Sequence, residues 1–159
     1  MGKIYTALGL MSGTSLDGVD VSIIKSDGNR EYSSILNHYF KYDSNIVQKL
    51  LKIREQISNP GDLELNLKSI KDLDKEITLF NAQAVQESLK TTNINIDLIG
   101  FHGQTIFHDP VRKITKQLGD GRLLSQLTKK KVVYDFRQND LVNGGQGAPL
   151  TPIFHNALA

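Results

Sequence analysis

Apolar and polar positions alternate along the first forty residues in a way that predicts three strands and two short turns. Residues 3–10 (KIYTALGL) read as a strand, and 11–18 (MSGTSLDG) as a tight polar turn. In the following GVDVSIIKS, Val19, Val21 and Ile23 share one face while Asp20 and Ser22 take the other, the period-2 signature of a half-buried strand. Asp27-Gly28-Asn29 supplies residues that tolerate positive φ and marks the second turn; residues 31–42 (EYSSILNHYFKY) follow as the third strand. Turns this short join neighbours running in opposite directions, so the opening is an antiparallel meander.

The period then lengthens. Asp43 or Ser44 can cap a helix from about Asn45 to Ile57, with Ile46, Val47, Leu50, Leu51 and Arg54 at helical spacing. Asn59-Pro60-Gly61-Asp62 breaks it, and Asp62 is positioned to cap a second helix. That helix carries Leu63, Leu67, Ile70, Leu73, Ile77, Phe80 and Ala84, one apolar stripe whose role is core packing. Beyond Asn93, Asp97-Leu98-Ile99-Gly100-Phe101 is a short buried strand delivering His102-Gly103-Gln104-Thr105 at its carboxyl end. Gly119-Asp120-Gly121 precedes a short helix, Arg122 to Lys129, and Lys131 to Asp135 forms another strand running into the Gly-rich Asn143-Gly144-Gly145-Gln146-Gly147. Pro149 and Pro152 open a last helix that has barely started at Ala159. No repeat, low-complexity segment or linker interrupts this order, which predicts one α/β domain with a mixed sheet.

Composition narrows the function classes. The 159 residues carry 19 Lys+Arg against 17 Asp+Glu, a formal net charge of +2. This is too even for nucleic acid or a membrane surface, where a basic excess supplies the affinity. There is no Cys, which excludes disulfides, thiolate metal sites and Cys nucleophiles, and no Trp, so six Phe and five Tyr leave a mostly aliphatic core. The expectation is a soluble intracellular chain. No apolar run approaches the roughly 20 residues a spanning helix needs. Ile4 to Met11 behind Lys3 looks superficially like a signal peptide, but it contains Tyr5, Thr6 and Gly9 and meets Asp17 and Asp20 almost at once. MGKIYT also fits the loose myristoylation pattern; a first β-strand accounts for the same residues without processing.

Polar residues concentrate at three stretches, each expected as a loop at a strand end, where α/β sheets bind ligands. The first runs from Ser12 to Asp20. Its small residues let a backbone approach phosphate, its hydroxyls and amides can donate, and Asp17 or Asp20 can hold a hydrated Mg²⁺. No Gly-Lys-[Ser/Thr] follows, so it is not a P-loop, and a tight hairpin using Gly for its geometry is the plain alternative. The second runs from His102 to Pro110. His102 and His108 lack a third ligand at plausible spacing, which favours hydrogen bonding to a polar ligand, or a satisfied structural His, over metal. The third is Asp135-Phe136-Arg137-Gln138-Asn139-Asp140, followed by Gly144 to Pro149. Two carboxylates five apart with an Arg between divide into a structural and a catalytic member, with Asp140 a candidate base. The alternative is a simple cap in which Asp135 pairs with Arg137 and Asp140. No Ser/His/Asp order, HExxH or GxGxxG can be assembled.

Gly9-Leu10-Met11-Ser12-Gly13-Thr14-Ser15-Leu16-Asp17-Gly18-Val19-Asp20 resembles the N-terminal signature of the anhydro-N-acetylmuramic acid kinase family. Phe101 to His108 is similar to that family's second motif. Asp135-Phe136-Arg137 through Asp140, then Gly144 to Leu150, is similar to its third. The resemblance covers essentially the whole chain, with the helical residues 43–95 carrying little diagnostic information. It implies the sugar-kinase, heat-shock-chaperone and actin superfamily, with a ribonuclease-H-like α/β domain whose mixed sheet opens with three antiparallel strands and is flanked by helices. It also implies the reaction of 1,6-anhydro-N-acetylmuramic acid, ATP and water to N-acetylmuramic acid 6-phosphate and ADP, in cytoplasmic recycling of peptidoglycan, with a homodimeric enzyme.

By resemblance, Gly13, Thr14, Ser15, Leu16, Asp17, Gly18, Val19 and Asp20 match the ATP-phosphate loop, with Mg²⁺ arriving on ATP and meeting Asp17 or Asp20 through water. Asp140 matches the carboxylate that activates the water attacking the anomeric carbon. His102, Gln104, Thr105 and Arg137 are expected to hold sugar hydroxyls, the lactyl carboxylate or the second motif in place, Arg137 alternatively positioning Asp140. Family members continue into a second domain that completes the nucleotide pocket and closes over the substrate. Residues 1–159 are therefore expected to form the N-terminal kinase domain, to lack the second, and to be catalytically incomplete alone unless another polypeptide completes the site. The alternative is a truncated or relict domain that binds ligand without turnover.

Overall fold

The structure is a computed structural model that describes residues 2–152, 154 and 155. The meander forms as expected: β1 (Tyr5–Ser12), β2 (Gly18–Ser26) and β3 (Tyr32–Lys41), with β1 and β2 antiparallel and β2 and β3 antiparallel. The chain then passes through α1 (Ser44–Gln56), α2 (Pro60–Leu65) and α3 (Leu67–Thr92). It returns as β4 (Leu98–Asp109), which lies parallel to β1, and β5 (Ile114–Leu118), antiparallel to β4. After α4 (Gly121–Thr128), β6 (Lys131–Val133) pairs parallel with the first half of β4, and α5 (Phe136–Val142) follows. The mixed six-stranded sheet has the order β3-β2-β1-β4-β5, with β6 off that path beside β4.

The central strands β1, β2 and β4 bury one face of the sheet. Leu8 and Leu10 of β1, Val21 and Ile23 of β2, and Ile99 and Phe101 of β4 share a core with Ile46, Leu50 and Ile53 of α1, Ile70, Leu73, Ile77 and Val85 of α3, and Leu124 of α4. On β4 the alternate residues Gly100 and His102 are only half-buried, and a Cβ at Gly100 would touch the Phe136 ring at 3.8 Å. The missing side chain at Gly100 thus admits α5 close against this second face. Helix starts follow local rules: the Asp43 carboxylate accepts from the Ile46 amide at 2.8 Å, and Asp120 accepts from the Arg122 and Leu123 amides.

Four expectations need correction. Asp62 does not cap α2; Asn59 does, and Asp62 stands at the third helical position of a reciprocal capping box, accepting from the Asn59 amide. The apolar stripe from Leu63 is not one helix. Asn66 interrupts it: its backbone leaves the helical range (φ −101°, ψ 14°) while its N–H still donates to the Asp62 carbonyl at 3.0 Å, joined there by its side-chain amide at 2.9 Å. Leu67 accordingly ends half-exposed at 50%. The stretch from His102 to His108 is not a loop but the continuation of β4, because β5 supplies pairing partners from Gln104 to Asp109. That hairpin turns through Asp109-Pro110, where Asp109 accepts from the Arg112 amide at 3.0 Å. Finally, Phe136 to Asp140 are helical rather than loop, and Asp135 enters the helix in a left-handed conformation with no side-chain cap. Of the expected last helix, Pro152, Phe154 and His155 are helical, while 153 and 156–159 lie outside the described residues.

Gly103 sits where β4 changes partners. Its φ is +72°, and a Cβ there would land on the Leu118 carbonyl oxygen of β5. Gly28 has nearly the same φ, +73°, with open space around it. Gly28→Ala should therefore lose only the conformational cost of about 1–2 kcal/mol. Gly103→Ala should lose that plus the displacement of β5, together more than about 2–3 kcal/mol. Urea unfolding of the two variants checks this; equal losses would mean that β5 moves aside freely.

Candidate active site

β1, β4 and β6 run in the same direction, so the first motif, the middle of β4 and the third motif all emerge at one edge of the sheet. The turn between β1 and β2 closes with the Leu16 amide on the Gly13 carbonyl at 3.3 Å, Leu16 taking φ +59° and burying its side chain. Three of its carbonyls are held from outside: Gly13 by the Gln104 amide nitrogen at 2.8 Å, Thr14 by an Arg54 guanidinium nitrogen at 2.9 Å, and Asp17 by the Tyr42 backbone N–H at 2.9 Å. Thr14 and Ser15 are exposed, and no backbone carbonyl among the described residues engages their amides. Below the turn, the buried Ser12 hydroxyl meets the Tyr42 hydroxyl at 2.9 Å; burial pushes Tyr42 up to about 12, so this phenol stays protonated.

The eight residues expected at the phosphate loop therefore divide. Leu16 and Val19 are buried in the core, and Gly18 is packed so closely that a Cβ would strike the Phe40 carbonyl; these three shape the turn. Gly13, Thr14, Ser15, Asp17 and Asp20 remain at least partly accessible. The Ser15 hydroxyl bonded to Asp17 is the largest influence holding that carboxyl below the ordinary carboxylate range, followed by its own backbone N–H, with Tyr39 and Lys41 adding to it. Asp17 is therefore an exposed, firmly ionised carboxylate beside free amides, a set suited to a phosphate with its hydrated cation.

A second cluster joins β4 to α5. The His102 Nδ1 donates to the Gly103 carbonyl at 2.6 Å, which leaves Nε2 as the acceptor for the Arg137 Nε–H at 2.8 Å. Arg137 also donates to the Gly147 carbonyl at 2.6 Å, and the amide of that residue donates to Asp140 Oδ2 at 2.7 Å. Asp140 is thus held through the Gly147 peptide, with Arg137 gripping the loop on its other side. The Gly145 amide bonds the Asp140 carbonyl at 2.9 Å, and a Cβ on Gly145 would fall on the Asp140 carboxylate. His102, Arg137 and Asp140 line an open cleft of about 950 Å³ together with Met11, Asn139, Asn143 and Ala148 to Thr151. Among the described residues Arg137 has no carboxylate partner, so its charge is available to the cleft.

The other two β4 residues point elsewhere. Gln104 is fully buried against the first turn, and the Thr105 hydroxyl accepts from Gln117 of β5 at 3.1 Å. The pairing of Asp135 with Arg137 and Asp140 as a cap does not occur, since Arg137 and Asp140 are committed to His102 and Gly147. Arg54, Tyr42, Asn139 and Asn143 are site residues that sequence reasoning missed. Arg54 stood in a helical stripe, and only the fold brings it to residue 14.

A family model for anhydro-N-acetylmuramic acid kinase matches residues 5–159. The chain is 56% identical over 158 residues to the anhydro-N-acetylmuramic acid kinase of Pelagibacter ubique, covering 99% of this chain and 42% of that protein. It is 44% identical to the protein of the same name in Agrobacterium fabrum (100% and 43%) and 41% identical to that of Rhizobium etli (100% and 44%). The chain thus spans less than half the length of these relatives.

Burial, reinforced by the neighbouring Arg137 charge and opposed by the Gly103 hydrogen bond, lowers the His102 pKa below its ordinary value. The unfolded chain titrates this group near about 6.5, so below that pH it binds the proton more readily than the folded one. Stability should therefore be constant with respect to His102 above about pH 6.5 and fall as pH drops below it. The depressed carboxylates Asp17, Asp27 and Asp62 lose their contribution only at lower pH, near or below 3.8. Denaturant unfolding between pH 7 and 5 should slope in the wild type and flatten in His102→Gln; an unchanged slope would remove His102 as its source.

Proposed function

The chain belongs to the anhydro-N-acetylmuramic acid kinase family, and from that membership we propose that it carries the phosphate-binding turn and the catalytic base of an ATP-dependent sugar kinase acting on 1,6-anhydro-N-acetylmuramic acid. The observation that carries this reading is the state of Asp140. One carboxylate oxygen, Oδ2, is fixed by the Gly147 amide, Oδ1 has no intramolecular partner among the described residues, and the residue lines the cleft. A carboxylate held on one side and free on the other is arranged to take a proton from a water.

In the proposed reaction Asp140 accepts a proton from the water that adds to the anomeric carbon of the sugar. The bond from that carbon to O6 breaks, O6 takes the γ-phosphoryl group of ATP, and N-acetylmuramic acid 6-phosphate and ADP leave. Coupling the two events lets the oxygen released by ring opening act as the nucleophile without escaping to solvent. Arg137, a half-buried cation without a carboxylate partner among the described residues, suits the lactyl carboxylate, and His102 keeps its guanidinium oriented. The Gly13–Asp17 turn suits the phosphates. A Cβ at Gly13 would meet only Ser15 at ordinary contact distance, so the fold itself does not demand glycine there, and close approach of a phosphate accounts for it. Mg²⁺ brought with ATP would neutralise phosphate charge, with Asp17 reaching it through water; no three His, Asp or Glu among the described residues gather to bind a metal directly. On this reading the adenine pocket comes from the part of the family's length that this chain does not span. The enzyme works as a homodimer in the cytoplasm, recycling peptidoglycan.

The test is product formation from the anhydro-sugar, ATP and Mg²⁺ by the complete natural polypeptide. Asp140→Asn should lower turnover by about 10²–10⁴, the range for a general base. Gly145→Ala, which drives a methyl into the Asp140 carboxylate, should lower kcat in the same direction with the KM for ATP little changed. Near-normal turnover in Asp140→Asn would remove the residue from this role. Nucleotide and sugar binding without any product in the wild type would identify a binding module instead.

A further inference from the structure

Gln104 combines two properties that rarely coincide. It is completely buried, and its Oε1 is the one buried side-chain atom among the described residues without a hydrogen-bond partner. Its amide orientation is unambiguous, because Nε2 faces two groups that only accept: the Gly13 carbonyl at 2.8 Å and, more weakly, the Thr105 carbonyl at 3.5 Å. Turning the amide over would set oxygen against oxygen. A buried acceptor left empty weakens the fold, and an apolar side chain of the same shape would avoid that loss. What the residue provides in return is its bond to Gly13, across 91 positions of sequence.

We propose that Gln104 is a positioning residue for the nucleotide-phosphate turn, and that it does not contact the sugar. This rests on the reading of Gly13–Asp17 as the phosphate site. The Gly13 carbonyl receives both the Leu16 amide that closes the turn and the Gln104 amide from β4. In a trans peptide the N–H lies opposite the carbonyl, so with the Gly13 oxygen drawn inward the Thr14 N–H of the same peptide group is directed away from it, at a residue that is exposed. Gln104 therefore sets the direction of the Thr14 amide that a phosphate oxygen would meet, and ties β4 to the turn through that bond. It is wholly enclosed, so a hydroxyl of the sugar cannot reach it without opening the sheet.

Gln104→Met tests this in the complete natural polypeptide, since Met keeps the unbranched shape and removes both the donor and the empty acceptor. The thermal midpoint should be unchanged or higher. The KM for ATP should rise about 3- to 10-fold, the range for one neutral hydrogen bond, with the KM for the sugar unchanged. Amide hydrogen exchange at Leu16, measured without nucleotide, should accelerate by a similar factor as the turn loosens. Gln104→Glu, which sets an acceptor against the Gly13 carbonyl, should weaken ATP at least as much. A raised sugar KM with unchanged ATP KM would overturn the proposal in favour of direct sugar contact. A lowered midpoint with both KM values unchanged would overturn it in favour of plain packing. If the wild type fails to bind Mg·ATP, the phosphate reading falls, while Leu16 exchange still reports whether Gln104 holds the turn.

Discussion

The parallel pairing of β1 with β4 joins two halves of the chain that are some ninety residues apart, and the site depends on it. Leu8 lies beside Ile99 and Leu10 beside Phe101 in this ladder, both pairs in the buried core, so a slip of one residue would turn an entire hydrophobic set outward. Beyond Leu10 the ladder shifts by one residue, and it is this irregularity that sets Ser12 opposite Gln104. With the strands parallel, the turn after β1 and the polar middle of β4 arrive at one edge, where β6 then delivers α5. Ligand sites gather at such edges because strand ends present loops and helix starts that packing has left free.

Around that edge the polar groups are organised by carbonyls turned inward. Gln104, Arg54 and the Tyr42 amide hold three carbonyls of the first turn, and Arg137 holds that of Gly147. A carbonyl held this way fixes the plane of its own peptide group, so the N–H on the opposite side of that plane needs no reorganisation when a ligand arrives. Glycine has a related use in the third motif. Gly145 is required because the Asp140 carboxylate occupies the space where a side chain would start, and Gly147 combines φ +71° with close contact to Leu141 and His108. The chain brings its backbone to the carboxylate, and the Gly147 amide, not the Arg137 guanidinium, bonds Asp140.

Local signals made much of the fold legible. Alternation in GVDVSIIKS located β2 at its observed bounds, Asp43 and Asp120 marked helix starts, and the spacing from Ile70 to Ala84 located the buried face of α3. Errors came where polar residues occupy regular structure. The stretch from His102 to His108 reads as a loop because its side chains are polar, yet its backbone is paired by β5, whose residues are themselves half-buried and weakly patterned. The Asp-Pro turn at Asp109-Pro110 was the available sign of that hairpin. At Asn66 helical periodicity continues through the break, which lies in the backbone (φ −101°, ψ 14°) and leaves no mark on the apolar pattern.

The sequence by itself determined the family, the three motifs and the identity of the ionisable groups, because these reside in residue types and their short-range order. The partners of those groups were decided by tertiary structure. Residue type groups Gln104 and Thr105 as neighbouring polar positions of one motif, while the β1–β4 ladder buries Gln104 under Gly13 and β5 presents Gln117 to Thr105. Arg137 and Asp140 lie three residues apart and invite a direct pairing, but the loop that returns through Gly147 comes between them and takes both. Hydrogen bonding across a sheet depends on register and on which strand lies beside which, and both are set by burial of the whole core.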